Sequence, residues 1–210
     1  ILTPNWQWHD HGNPSDKPMI WLDGLDIPTV THFNASFAEK LGDDAHEETL
    51  PPGDTMHRYG RNLRPLKGSS QDRRPANLPM FHYPYAEWND SLSALAAHEK
   101  PDPHLGHALE FLNPATGGHV MPTIAAHVRR LPQGFSTKRR RTSDGTVLVV
   151  VEGEGVANIE GTEHRLEQGD ILVVPSWNWL ELEAQSDVTL FAYSDKAAQE
   201  ALGLYREHKE

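Results

Sequence analysis

The residues best suited to chemistry stand near the start of the chain. In Pro4-Asn5-Trp6-Gln7-Trp8-His9-Asp10-His11-Gly12-Asn13, two imidazoles are separated by one residue, and Asp23 follows within reach of a chain reversal. Alternate residues of an extended strand share a face, so Gln7, His9 and His11 point one way while Trp6, Trp8 and Asp10 point the other. Two imidazoles on one face can hold a metal ion or move a proton near neutral pH. The turn cluster Gly12-Asn13-Pro14-Ser15-Asp16 would fold Met19 to Asp26 back as the next strand, with Asp23 roughly opposite His9 and Trp21 roughly opposite His11. A carboxylate beside a metal-bound imidazole fixes its tautomer and raises its basicity. The plainer alternative is a surface His-x-His without metal, and 13 histidines in the chain give that alternative weight.

A weakened copy of the motif returns later in the chain. Gly169-Asp170-Ile171-Leu172-Val173-Val174-Pro175-Ser176-Trp177-Asn178-Trp179-Leu180-Glu181-Leu182 repeats the Pro-x-Trp-x-Trp frame 171 positions on, with Leu180 and Leu182 where the first copy has His9 and His11. One copy with ring nitrogens and one turned apolar imply one metal-bearing unit and one structural unit.

The elements that must position these residues fall into successive parts. Residues 1–33 alternate short apolar runs with turn clusters and read as strands. Residues 34–104 are polar, rich in proline and glycine, and read as a connecting arm with one helix from Ala86 to Lys100, carrying Trp88, Leu92 and Leu95 on one face. Residues 105–195 hold apolar runs at Val120 to Leu131, Thr146 to Val151, Ala157 to Ile159, Ile171 to Val174 and Thr189 to Tyr193, separated by glycine-bearing turns. Short strands at this spacing predict an all-β antiparallel barrel or jelly roll. Residues 196–210 read as a terminal helix.

Composition sets outer bounds. A chain of 210 residues can bury a core of its own, and a net charge of -11 argues against nucleic acid as a partner. No apolar run is long enough to span a bilayer and no signal peptide precedes the first motif, which points to a cytoplasmic protein. The absence of cysteine removes thiolate ligands and fits a reducing compartment. Ile1 is not an initiator methionine and opens inside a motif, so the chain is expected to be N-terminally truncated.

Gly-Asp, an apolar run and Pro-x-Trp-x-Trp together are similar to the second motif of cupin barrels, whose last metal-binding histidine follows the proline by five residues; His9 holds that place after Pro4. More closely, the first motif followed by Trp21-Leu22-Asp23-Gly24-Leu25-Asp26-Ile27-Pro28, with Leu112-Asn113-Pro114-Ala115-Thr116-Gly117-Gly118 and Ala201-Leu202-Gly203-Leu204-Tyr205-Arg206-Glu207, resembles the gentisate 1,2-dioxygenase family of bicupins. That family includes salicylate and 1-hydroxy-2-naphthoate dioxygenases. The resemblance covers essentially the whole chain. It implies two double-stranded β-helix barrels, the first represented only by its C-terminal part in residues 1–33 and the second by a degenerate barrel at 105–195.

The resemblance further implies Fe(II) held by three histidines, of which only His9 maps onto this chain; the other two would lie about 30 residues before Ile1. His11, inward but not a ligand, would hydrogen-bond substrate or oxygen and act as an acid or base, and Asp23 would orient His9 or His11 or touch the substrate ring. The implied reaction cleaves gentisate with dioxygen between the carboxyl-bearing and hydroxyl-bearing carbons to give maleylpyruvate, in a homo-oligomer, a homotetramer by resemblance. A non-catalytic cupin module, and a salicylate or 1-hydroxy-2-naphthoate dioxygenase, stay open as alternatives.

Other residues carry plainer expectations. Cupin spacing back from Gly153 puts the degenerate first motif near Arg139 and Arg141, and the run Lys138 to Arg141 is expected at an exposed strand edge or subunit contact. His104 and His107 are expected in a solvated loop, Arg58, Arg61 and Arg64 in the arm without a catalytic role, and Trp6, Trp8, Trp177 and Trp179 in barrel or interface packing.

Overall fold

From Thr146 to Glu152 the buried side chains are Thr146, Leu148 and Val150, each separated by a half-exposed valine, and this period of two commits the segment to a strand with one face in a core. The same alternation recurs along residues 84–210 of the computed structural model. Residues 1–3, 5–43, 45, 47, 48, 50–60, 65, 66 and 82–210 are described; Arg61 and Arg64 lie outside them.

The described residues divide into one unit of Ile1–Tyr83 with Pro114–Thr116 and another of Pro84–Asn113 with Gly117–Glu210. The second unit holds ten strands: β1 His107–Glu110, β2 Ala125–Leu131, β3 Arg140–Thr142, β4 Thr146–Glu152, β5 Gly155–Ile159, β6 Thr162–Leu166, β7 Ile171–Val174, β8 Leu180–Ala184, β9 Val188–Ser194 and β10 Glu207–Lys209. They form two antiparallel five-stranded sheets, in the orders β1-β2-β9-β4-β7 and β10-β3-β8-β5-β6. Leu131, Leu148, Ala157, Leu182, Val188 and Leu190 are among the side chains that fill the core. Each Leu or Val buried there stabilises the fold by roughly 1.5–3 kcal/mol. The antiparallel jelly roll expected for residues 105–195 is therefore present.

Four helices accompany the strands among the described residues: α1 Ile27–His32, α2 Asp54–Tyr59, α3 Tyr85–His98 and α4 Lys196–Ala201. The helix expected at residues 86–100 is α3, and its Leu92 is fully buried. Arg130 of β2 ties α3 to the sheet by donating to Ser93 Oγ at 2.8 Å and Asn89 Oδ1 at 2.7 Å.

Four expectations are corrected by the structure. Residues 1–33 contain no strand among the described positions, and Ile27–His32 is instead a helix with proline in its first turn, where a fixed φ favours helix and no N–H is lost. The terminal helix stops at Ala201; Gly203, at φ +70, turns the chain so that Glu207–Lys209 adds to the edge of β3. The Lys138–Arg141 run is not an exposed sheet edge, because β3 lies between β10 and β8, and His107 is buried on β1 with Nε2 3.0 Å from the Glu99 carbonyl.

The turns that close the barrel differ in how much room they have. Gly153 has φ +86, and a Cβ there would lie 2.0 Å from the Asp187 carbonyl oxygen, whereas Gly161, at φ +85, would meet nothing within 4 Å. Gly161→Ala is expected to cost about 1 kcal/mol from backbone strain alone, and Gly153→Ala about 3 kcal/mol or more, because the β4–β5 and β8–β9 turns must also separate. Chemical denaturation of the two variants measures the difference; equal losses would mean that this close approach is unimportant.

Candidate functional site

The first motif forms a compact arrangement of rings without regular strand structure. Its turn is built by Asn13, whose Oδ1 accepts from Ser15 N at 3.1 Å and Ser15 Oγ at 2.7 Å, while Nδ2 donates to the Lys17 carbonyl at 2.7 Å. Such side-chain caps are why asparagine and serine favour turns. The reversal brings Trp21 against His11, ring to ring at 5.3 Å and nearly parallel, as the expected strand pairing also would. His9 meets His11 edge to face at 5.5 Å, so the two imidazoles do cluster. Asp23 is exposed and, among the described residues, hydrogen-bonds to neither histidine.

Beside His9 lies an open cleft of about 380 Å³ lined by Trp6, Gln7, Trp8, His9, Phe37, Ala38 and Glu39. Trp6 packs on Phe37 at 5.6 Å yet stays 71% exposed. Among the described residues no group of three histidine, aspartate or glutamate side chains is placed to hold a metal. His9 can thus offer one imidazole donor here, and a stable site needs further ligands.

The two copies of the motif share a backbone feature that the repeat pattern did not reveal. Trp6 has φ 62 and its counterpart Trp177 has φ 65, both in the left-handed region that a bulky side chain rarely adopts. The two tryptophans therefore share one left-handed backbone conformation. After it the second copy continues into β8, where Leu182 is 2% exposed and Leu180 packs on the same core. The space that imidazoles would need is filled by carbon.

The motif positions inferred from Gly153 are displaced by one residue. Arg139 and Arg141 lie on the outer face, where Arg141 sits 4.6 Å from the Trp177 ring and 4.4 Å from the Trp179 ring and Arg139 lies 4.8 Å from Trp179. Arg140, opposite Leu180 in register, faces inward, with Nε donating to Glu207 at 2.5 Å and a terminal nitrogen to the Tyr205 hydroxyl at 3.2 Å. Among the described residues His104 and His107 belong to no metal-holding cluster, and Arg58 is occupied by Asp54 at 2.8 Å.

The barrel interior also holds a pair that the motif pattern does not single out. His127 and Arg129 stand two apart on β2, on the same side as Leu131, and Arg129 Nε–H donates to His127 Nε2 at 2.8 Å. Accepting that bond requires a neutral ring with its proton on Nδ1. Burial and the charges of Arg129, Arg140 and Lys196 push the His127 pKa well below its usual 6.5. Burial above all, together with Arg140, lowers that of Arg129 to about 10. An alternating His-x-Arg on a strand that ends in leucine was the available signal.

These two five-stranded sheets define a cupin barrel, and residues 127–194 match the cupin domain family. Along its full length the chain is homologous to gentisate 1,2-dioxygenases. It is 44% identical over 209 residues to gentisate 1,2 dioxygenase 1 of Aquipseudomonas alcaligenes, covering all of this chain and 59% of the relative. Identity is 34% with 5-aminosalicylate 1,2-dioxygenase of a Comamonas species, over 99% of this chain and 54% of that one. The crystal structure of a salicylate 1,2-dioxygenase variant from Pseudoaminobacter salicylatoxidans in complex with gentisate superimposes with a TM-score of 0.84 at 32% identity, covering 94% of this chain and 56% of that chain. The chain thus spans between half and two thirds of the length of these relatives.

Because His127 is held neutral in the fold, the unfolded chain binds more protons below the ordinary histidine value of 6.5. Its contribution to stability is therefore complete above that value and falls as pH drops through it, by at most about 1.4 kcal/mol per pH unit. His127→Gln is expected to flatten the stability profile between about pH 6.5 and 5 relative to the unaltered chain. Denaturant midpoints across that interval test this; parallel profiles would show that His127 is not the titrating group.

Proposed function

We propose that this chain is part of an Fe(II)-dependent dioxygenase that opens the ring of gentisate, and that residues 1–33 contribute to its catalytic barrel. The observation that carries this is the 44% identity to a gentisate 1,2-dioxygenase over the entire chain. A relative crystallised with gentisate bound supports the same substrate class. The reaction inserts both atoms of dioxygen while the bond between the carboxyl-bearing and hydroxyl-bearing ring carbons is broken, giving maleylpyruvate.

His9 is the residue of this chain that fits the metal. It is exposed beside a cleft and offers an imidazole nitrogen, and two further histidines would come from preceding sequence. Bound Fe(II) would supply positive charge for the substrate carboxylate and hydroxyl and the electron transfer that makes dioxygen reactive. His11, held by its stack on Trp21, can receive a proton from the substrate hydroxyl and return it to product. Trp6, Trp8 and Phe37 give the cleft apolar walls against which an aromatic acid can lie. Asp23 would act on the substrate side once the cleft is filled. Among the described residues no helix is long and apolar enough to cross a membrane, and a cytoplasmic homo-oligomer, a tetramer as in the family, is the proposed setting.

In the full-length protein, His9→Ala is expected to remove iron and activity together. His11→Ala should keep most of the iron and lower kcat by about a hundredfold or more, the usual worth of a positioned acid or base. Leu180→His should restore nothing, since the second barrel lacks the other ligands. Iron content and gentisate-dependent oxygen uptake decide this: full iron in His9→Ala, or unchanged turnover in His11→Ala, would show the roles to be wrongly assigned.

A further inference from the structure

Arg129 projects from β2 between the two sheets and is only 3% exposed. A guanidinium offers five N–H donors in a planar fork. Among the described residues Arg129 uses one of them in a hydrogen bond, to His127 Nε2, and forms no ion pair within 4.0 Å. Its inward neighbour Arg140 repels it and is itself satisfied by Glu207 and Tyr205. The carboxylates that act on Arg129, Asp144 and Asp102, do so from beyond contact distance. Asp144 is 6% exposed and its Oδ1 is a buried acceptor without a hydrogen-bond partner. A buried cation with free donors and a buried carboxylate with a free lone pair, close enough to feel each other yet not paired, are costly unless something lies between them.

We propose that the interior of the second barrel holds a binding site for a small hydroxy acid, whose carboxylate is gripped by the Arg129 fork and whose hydroxyl donates to Asp144 Oδ1. A carboxylate matches the planar fork with two parallel hydrogen bonds, which a lone water cannot. A simple carboxylate would satisfy Arg129 and leave Asp144 unsatisfied beside a second negative charge. A ligand carrying both groups satisfies both residues. His127, neutral and fixed by Arg129 Nε–H, holds the fork in place and so acts as a positioning residue. The site uses residues of the second unit alone, so its outcome is independent of His9 and His11.

Calorimetric titration of the 210-residue chain with glycolate and with acetate, at constant ionic strength in chloride, tests the site. Saturable glycolate binding at one per chain, at least tenfold tighter than acetate, is expected. Arg129→Gln should weaken glycolate at least tenfold, and Asp144→Asn should bring glycolate and acetate together. Should Arg129→Gln fail to fold by circular dichroism, Arg129→Lys decides, since it keeps the charge without the fork and should still weaken binding several-fold. No saturable binding, or glycolate affinity unchanged in the Arg129 variant that folds, would overturn the site; equal affinities for glycolate and acetate in the unaltered chain would overturn the role of Asp144.

Discussion

Two sheets can cover each other only if every strand gives alternate side chains to the space between them, and in this barrel that space is closed by Leu131, Leu148, Leu182 and Leu190, each no more than 2% exposed. Everything else in the second unit is placed relative to that layer. β2 and β8 carry the register across it: Leu131 at the end of β2 fixes Arg129 and His127 inward, and Leu182 on β8 fixes Leu180 inward and Trp179 outward. The turns follow from the same closure. Gly153 must let the Asp187 carbonyl approach within what would be bonding range of a side chain, because the β4–β5 and β8–β9 connections meet at one end of the sandwich.

The two copies of the motif share a backbone turn at tryptophan and differ in the residues that follow it. Both copies begin with a tryptophan forced into left-handed backbone, at a cost of about 1–2 kcal/mol each. In the second copy that cost is offset by what the turn delivers: Trp177 N donates to the Thr142 carbonyl at 2.7 Å, and the two indoles sandwich Arg141 on the outside while leucines enter the core. In the first copy the chain after Trp6 sets His9 beside a cleft and His11 against Trp21 instead. The tryptophans belong to the turn, and the residues after it determine whether the strand faces carbon or a ligand.

Legibility in the sequence followed burial. Ile171–Val174 was read with its bounds intact, and Thr146–Glu152 and Val188–Ser194 within a residue or so, because each is an apolar run between turn residues. β6, Thr162–Leu166, carries no such local signal because only Leu166 of its five residues is buried, and β10 carries none because all three of its residues are exposed. Such strands exist by virtue of a distant partner, a constraint that no local window contains. The Arg139 and Arg141 assignment slipped by one residue, and in a strand that slip exchanges the two faces, so the inward member is Arg140. At the start of the chain the Asn13 turn and the His11–Trp21 contact were legible, because they depend on neighbours within about ten residues; the strands around them were not realised, because a two-stranded pairing is marginal without a third strand or an apolar layer beneath it.

The polar residues inside the barrel set one part of its interior apart from the rest. Had the second barrel become purely structural, the cheapest interior would be apolar throughout, since burying a cation without a partner costs more than any packing it provides. Leu180 and Leu182 follow that logic, while Arg129, a few ångströms of strand away from Leu131, does not. Its guanidinium is kept charged against the pull of burial, and His127 is kept neutral beside it, so the pair is a donor array with one fixed direction. The apolar pair Leu180 and Leu182 and the inward fork of Arg129 therefore stand on separate strands, β8 and β2, and the interior is carbon on one and polar on the other.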